Sequence, residues 1–424
     1  MKKIQLLTMC TVAAAVAAQA AEMDAEQKGF RFINDRLTFS PYVALSYTYD
    51  SNVDSSKHSK SGSQWVVNPG IVGVYKDDNW KIDGQVWYQY HAYNRYTSQL
   101  NSSSFGEKLS LDWQNAKADE AGWFLKMAES FEQIAQDDDM TDHDGRGIGR
   151  DRKQFKFDAI LERRVNESLH AGILGNYYYL DYDNDVEKYS TLYGWKRLSL
   201  GGQVGYTVNK WMDLIVASDY QWFWQDNDKD SDYHTGDASR RGKHVSSDSR
   251  GWSVMGGIQT HATEKLSYRV LAGWSRFEYG NGVDDIDGWT YQVSSKWQID
   301  DENTTSLMLL GSSYYQPSER ECGSALKVYT VSLGLAKGLV RNKLRATFDL
   351  AYRKETHEYT EYKEDDYDED IYTARVGLVY QLNRMFSIFG RVEYQTEETS
   401  SGGPRSHEYD YDRWRGTVGV RLSY

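Results

Sequence analysis

The closing stretch, Tyr411 to Tyr424, constrains the fold more than any other part of the chain. It reads Y-D-R-W-R-G-T-V-G-V-R-L-S-Y. Counting back from the end, Tyr424, Leu422, Val420, Val418, Gly416 and Trp414 are apolar or small. Between them stand Ser423, Arg421, Gly419, Thr417, Arg415 and Arg413. Successive side chains of a strand point to opposite faces, so this is a strand with one apolar and one cationic face. A soluble sandwich buries such an apolar face under a second sheet. A transmembrane barrel turns it to lipid and keeps the polar face for the lumen.

Composition favours the barrel. Aromatics make up 14% of residues, with 33 Tyr and 14 Trp, while the mean hydropathy is −0.72. Lipid-facing strands diluted by a polar lumen and polar loops, with aromatic girdles at both interfaces, give that combination. The chain after its first residues has no apolar run of the ~20 residues that a membrane helix needs. A net charge of −13 argues against nucleic acid as a partner. Met1 to Ala20 has the form of a secretory signal. Lys2 and Lys3 open it, an apolar core follows to Val16, and Ala18-Gln19-Ala20 offers a small-x-small cleavage site. Cys10 lies in this segment and Cys322 is the other cysteine, so an exported chain has no internal disulfide.

Residues 21–37 are polar and unpatterned, which predicts a short periplasmic tether or, less simply, a small lumen plug. From Thr38 to Tyr424 the chain reads as one barrel of alternating segments, each long enough for a tilted strand to cross. In Trp80–Tyr93, the residues Trp80, Ile82, Val86, Tyr88 and Tyr90 share one face, against Lys81, Asp83, Gln85, Gln89 and His91. Trp289–Ile299, Leu344–Arg353, Tyr372–Leu382 and Phe386–Gln395 behave alike. Trp123–Phe131 and Thr305–Tyr315 alternate more weakly. The connections alternate too. Short ones, such as Asp77–Asn79, Asn166–Ser168, Asp300–Asn303 and Asn383–Arg384, separate long ones, such as Gln225–Arg250, Glu355–Asp370 and Thr396–Asp410. Short periplasmic turns and long external loops are the asymmetry of outer-membrane barrels. The expected fold is therefore all-β: a transmembrane antiparallel up-and-down barrel of about eighteen strands, or sixteen if two weak segments are misread.

The polar faces of the last strands carry Arg345, Arg353, Arg375, Arg391, Arg413, Arg415 and Arg421, with only Asp349 and Glu393 among them as counter-charges. Neighbouring strands lie ~4.8 Å apart, so these residues predict a cationic wall lining the pore. Earlier strands bring mixed charge inward, beginning with Lys81 and Asp83. Charged linings select solutes, and Arg and Lys favour anions. The competing reading is that the arginines only brace the wall through carboxylate pairs. Inward aromatics such as Trp87, Tyr93 and Phe223 offer stacking surfaces for sugar rings. Three segments, Asp137–Asp144, Asp226–Asp232 and Glu364–Asp370, are densely acidic and read as solvated external loops. Asp226, Asp228 and Asp230 have the spacing of a Ca²⁺ loop, but Ser231 stands where its glycine belongs and no glutamate closes it. The histidines are scattered and no G-x-S-x-G or H-E-x-x-H motif occurs, so the chain is not expected to be an enzyme, and it calls for no cofactor or metal.

The barrel opens with P-Y-V-A-L-S-Y-T-Y-D-S-N-V-D, Pro41 to Asp54, followed by V-N-P-G-I at Val67–Ile71 and later Y-D-x-D at Tyr182–Asp185. These residues resemble the putative beta-barrel porin 2 family, outer-membrane barrels associated with exopolysaccharide export. The terminal aromatic, with apolar residues two, four and six positions before it, resembles the closing strand that the outer-membrane assembly machinery recognises. The resemblances imply a cell outer-membrane channel among lipid and lipopolysaccharide, passing a hydrophilic solute or polysaccharide, and imply no catalytic residues. The alternative is a non-conducting surface barrel, structural or adhesive, with the acidic loops as its working part.

Overall fold

A computed structural model describes residues 29–53, 60–94, 101–116, 121–137, 150–182, 194–225, 248–260, 265–279, 285–300, 304–317, 324–340, 343–359, 367–400 and 410–424. The strands are β1 (Phe30–Phe32), β2 (Leu37–Asp50), β3 (Gly62–Lys76), β4 (Trp80–Tyr93), β5 (Ser102–Gln114), β6 (Gly122–Asp137) and β7 (Arg150–Arg164). Next come β8 (Leu169–Tyr182), β9 (Trp195–Asn209), β10 (Met212–Gln225), β11 (Ser249–Thr260), β12 (Leu266–Tyr279) and β13 (Ile286–Gln298). The chain ends with β14 (Thr305–Pro317), β15 (Ser324–Val340), β16 (Leu344–Tyr359), β17 (Tyr367–Gln381), β18 (Phe386–Ser400) and β19 (Tyr411–Ser423).

From β2 on, each strand pairs antiparallel with the next, and β19 returns to pair with β2. The result is a closed up-and-down barrel of eighteen strands, β2 to β19, as the alternation predicts. Closure gives every strand of the barrel a neighbour on both sides, as a lipid environment demands of a sheet.

The period of two sorts the side chains as expected. On β4 Trp80, Val86, Tyr88 and Tyr90 are exposed on the outer face, while Trp87 and Tyr93, on the other parity, are buried. On β19 Val418 is 62% exposed and Arg413 3%, so the apolar face of the closing strand looks out and the cationic face looks in. Outward aromatics stack across strands at both levels. Trp80 meets Trp113 beside the short turns, and Tyr47 meets Trp65 and Trp274 meets Trp289 toward the long connections.

The short turns are built on a recurring device. Asp77 Oδ1 accepts the backbone N–H of Asn79 and Trp80 at 2.9 and 2.8 Å. Asn166 does the same for Ser168 and Leu169 at 2.9 and 2.8 Å. Asn383 repeats it for Met385 and Phe386 at 2.8 and 3.0 Å. A short amide or carboxylate side chain mimics the backbone and closes the turn locally, which is why Asn and Asp mark these sites in the sequence.

Two expectations change. Within residues 21–37, expected as a tether, Phe30–Phe32 form β1 and pair with Leu37–Phe39 of β2, while residues 21–28 lie outside the described residues. Residues read as long connections partly belong to strands: β16 runs on to Tyr359, β17 starts at Tyr367, and β18 reaches Ser400. Glu369, assigned from the sequence to a solvated acidic loop, is 1% exposed on the inner face of β17. Strand ends above an apolar belt are polar on both faces, so alternation of hydropathy stops before the ladder does. The acidic segments Asp137–Asp144 and Asp226–Asp232 lie, apart from Asp137 in β6, outside the described residues.

Candidate functional site

The inner wall of β16 to β19, continued onto β2, carries the expected arginines, but as an alternating chain of charges. Arg413 grips Asp50 with two nitrogens, Nε to Oδ1 at 3.0 Å and Nη2 to Oδ2 at 2.6 Å. Arg415 donates to the same Asp50 Oδ2 at 3.2 Å and reaches Glu393 Oε1 at 3.5 Å. Arg375 Nε donates to the other oxygen of Glu393. The order along the wall is thus Arg413, Asp50, Arg415, Glu393, Arg375, each carboxylate held between two guanidiniums. Bidentate and shared charge-assisted bonds of this kind fix both partners in place.

The other predicted lining residues join this wall differently. Arg391 is flanked by Arg375 and Arg415 as well as by Glu393 and Asp349, and makes no ion pair with a described residue. Arg353 contacts Glu355 through Nε. Arg345 lies at the short-turn end of β16, opposite Gly338 and Val379. Arg421 lies over the ring of Tyr42, 4.1 Å from its centroid, on the neighbouring β2. On β4, two strands beyond β2 on the same side of the barrel, Lys81 and Asp83 pair at 2.9 Å. Asp50 was missed among the counter-charges because it stands at the far end of the sequence, and only closure brings it to Arg413.

That closure is also where the Asp50-Ser51-Asn52-Val53 turn works. Asn52 N–H bonds Asp50 Oδ1 at 3.0 Å, which aims the carboxylate at Arg413. Ser51 Oγ accepts the N–H of Trp414 at 2.7 Å, and the Ser51 N–H bonds the Trp414 carbonyl at 2.9 Å. Thr48 and Thr417 join hydroxyls across the same seam at 3.0 Å.

The inner face of β8 to β14 differs in character. Toward the long connections, Leu180, Trp195, Phe223, Phe277, Ile286 and Tyr315 pack into one buried cluster. Phe223 lies between Trp195 and Phe277, at ring-centroid distances of 6.0 and 5.7 Å, and is 1% exposed. It has no face left for a sugar ring. Trp87 lies flat over Gly106, where any Cβ would strike its ring, so this aromatic serves packing as well. Below the cluster runs a neutral-to-charged network. Arg269 donates to Gln203 Oε1 at 3.2 Å, Gln203 donates to Glu162 Oε2 at 3.0 Å, and His170 stands 3.3 Å from Glu162 Oε1. The lumen therefore has a charged wall on β16 to β2 and, on β8 to β14, an apolar cluster above a polar and charged network.

A closed barrel with an apolar outer belt, aromatic girdles and a charged inner wall defines a membrane-spanning β-barrel of porin type. Residues 221–424 match the model of the family described as putative beta-barrel porin 2. The match covers the arginine-bearing strands and lies outside the opening strand on which the resemblance was first read. No curated protein matches the chain. Among solved structures the chain is similar to the outer membrane channel DcaP of Acinetobacter baumannii, at 12% identity and a TM-score of 0.41, covering 93% of this chain and 99% of that one. It is also similar to the outer membrane protein OpdK of Pseudomonas aeruginosa, at 12% identity and a TM-score of 0.41, covering 91% and 99%. The siderophore receptor PirA of Pseudomonas aeruginosa is matched at 8% identity and a TM-score of 0.39, covering 94% and 81%. At such identities and scores nothing about solute follows.

Proposed function

We propose that the protein is an outer-membrane channel of a diderm bacterium that passes small or polymeric hydrophilic solutes, with a preference for anionic or saccharide ones. The observation that carries this reading is the inner wall formed by Arg345, Arg353, Arg375, Arg391, Arg413, Arg415 and Arg421. Barrels of sixteen to eighteen strands leave an aqueous lumen unless something fills it. A wall that alternates guanidinium and carboxylate offers both charges and hydrogen-bond donors, which suits hydroxyl-rich solutes with acidic groups. Lys81 and Asp83 then extend the wall, past β3, with mixed charge. Export by the Met1–Ala20 signal, insertion through the closing strand by the assembly machinery, and surroundings of lipid and lipopolysaccharide belong to the same reading. Catalysis has no part in it.

The buried cluster around Phe223 favours a second reading, a non-conducting barrel whose external surface does the work, because it narrows the lumen from one side. Single-channel recording in planar bilayers separates the two. Stable conductance steps support the channel, and their absence at high protein load rejects it. Anion-over-cation reversal potentials then test the charge preference, and current block by an acidic oligosaccharide tests the saccharide part.

A further inference from the structure

Near the upper end of β16 and β17, three buried side chains on the inner face point to one spot. Glu355 and Glu369 stand directly opposite each other in the ladder, and His357 follows Glu355 on the same face. Glu369 is 1% exposed, His357 2% and Glu355 8%. Like charges facing each other across a ladder repel, and burial of two carboxylates is costly unless a cation meets them. Arg353 meets one oxygen of Glu355, Oε1. Glu355 Oε2 and Glu369 Oε2 instead converge on His357 Nε2, at 3.6 and 3.4 Å.

Those two distances are informative. A protonated imidazole donating to a carboxylate closes to about 2.7–2.9 Å, and neither ring nitrogen of His357 makes a hydrogen bond of ordinary geometry. Two ligands of one tetrahedral ion, each roughly 2.0–2.2 Å from it, stand about 3.4 Å apart. The three ligand atoms lie within 4.8 Å of one another. The imidazole is held in plane by Tyr367, stacked on it at 4.1 Å and 8°. Behind the site stand Leu326 and Val328 of β15, 4% and 0% exposed, opposite His357 and Glu355 in the ladder. An apolar backing strengthens the attraction between a cation and its ligands.

We propose that Glu355, His357 and Glu369 form a binding site for a divalent transition-metal ion of the Zn²⁺ type. One imidazole and two carboxylates suit such an ion, and its two charges offset the two carboxylates. Three protein ligands leave a coordination position for water or for an oxygen of a passing solute. The site does not depend on whether the barrel conducts.

The test uses the full chain, purified in detergent, stripped with chelator and titrated with Zn²⁺ alone by calorimetry, with Co²⁺ absorption as a second readout. The native chain should take up one Zn²⁺ with an inflection that His357→Ala and Glu369→Gln each remove or weaken by at least about tenfold, the scale on which lost supporting contacts act at metal sites. Co²⁺ should give visible bands that both variants lose. Folding of each variant is checked by its heat-modifiable mobility, and His357→Gln replaces His357→Ala should the latter fail to fold. Zn²⁺ uptake that the folded variants leave unchanged places the metal elsewhere and overturns the site. So does a native chain that shows neither uptake nor Co²⁺ bands, in which case His357 is a charge bridging two carboxylates.

Discussion

Arg413 and Asp50, 363 residues apart in the chain, hold each other in a two-pronged ion pair across the seam that closes the barrel. Both side chains are nearly inaccessible, at 3% and 4% exposure. Removing one partner of a buried pair leaves the other uncompensated, at a cost of about 3–5 kcal/mol. Asp50→Ala should therefore lower the denaturant midpoint of the refolded barrel strongly. Arg413→Ala should cost less, because Asp50 keeps Arg415. The double variant Asp50→Leu/Arg413→Met should recover most of the loss. Equal midpoints for native and Asp50→Ala proteins would show that the ladder alone closes the seam.

The pairing pattern also sorts the arginines by what they contribute to the pore. Arg413 and Arg375 are matched by Asp50 and Glu393, whereas Arg391 makes no ion pair with a described residue and so leaves its field in the lumen. In a conducting barrel, Arg391→Ala should move the reversal potential in a salt gradient toward cation preference more than Arg413→Ala does. Neutralising Arg375, Arg391 and Arg413 together should move it further. An identical potential in all three proteins would remove the wall from the selectivity argument.

How much of this was legible in the sequence follows from what period-two patterning can carry. It specifies which residues of Trp80–Tyr93 or Tyr411–Tyr424 look outward and which look inward. It carries no information about which strand ends meet, so Asp50 stayed unconnected to Arg413. It also fails where both faces are polar. Glu355, His357, Tyr367 and Glu369 read as loop because their neighbours Lys354, Asp368 and Asp370, on the outer face, are charged too. Yet Lys354 pairs with Asp368 across the ladder at 2.7 Å, as strand neighbours do. The run Glu355-Thr356-His357, a carboxylate and an imidazole two apart, was the available signal for the metal-type cluster.

The turn carboxylates give a pH dependence. Asp77 accepts the N–H of Asn79 and Trp80 and the hydroxyl of Tyr75, and these bonds hold its pKa below the ordinary 3.8. Asp300 is held lower in the same way by Thr304 and Thr305. A carboxyl with a depressed folded pKa contributes stability that is present above 3.8 and fades as pH falls from there through the lower folded value. Asp77→Ala should thus lower the unfolding midpoint at pH 7 by an amount that shrinks once the pH drops below 3.8. A gap between native and variant that stays constant down to the lowest pH would mean that the turn is held by its backbone and not by this carboxylate.

The last prediction concerns the lower end of the seam, where β19 stops short of the start of β2. Ser423 pairs with Tyr42 and the Tyr424 N–H bonds the Pro41 carbonyl at 3.0 Å, which leaves Leu37–Phe39 without β19 beside them. β1 folds back and takes that place. Its Phe30 ring stacks on the terminal Tyr424 at 4.5 Å and 25°, and Phe32 meets Phe39 edge-on at 6.0 Å. The return requires a tight turn with Ile33, Asn34 and Asp35 all at positive φ. Such an arrangement covers an otherwise open strand edge in the way sheets need, and a ring pair adds about 0.5–1.5 kcal/mol beyond the area it buries. Phe30→Ala should lower the temperature at which the barrel loses its compact mobility in detergent gels, and Tyr424→Ala should do the same. The double variant should be little worse than either single one, because both remove one contact. Fully additive losses would show that Phe30 and Tyr424 act separately and that β1 is not what seals this end of the barrel.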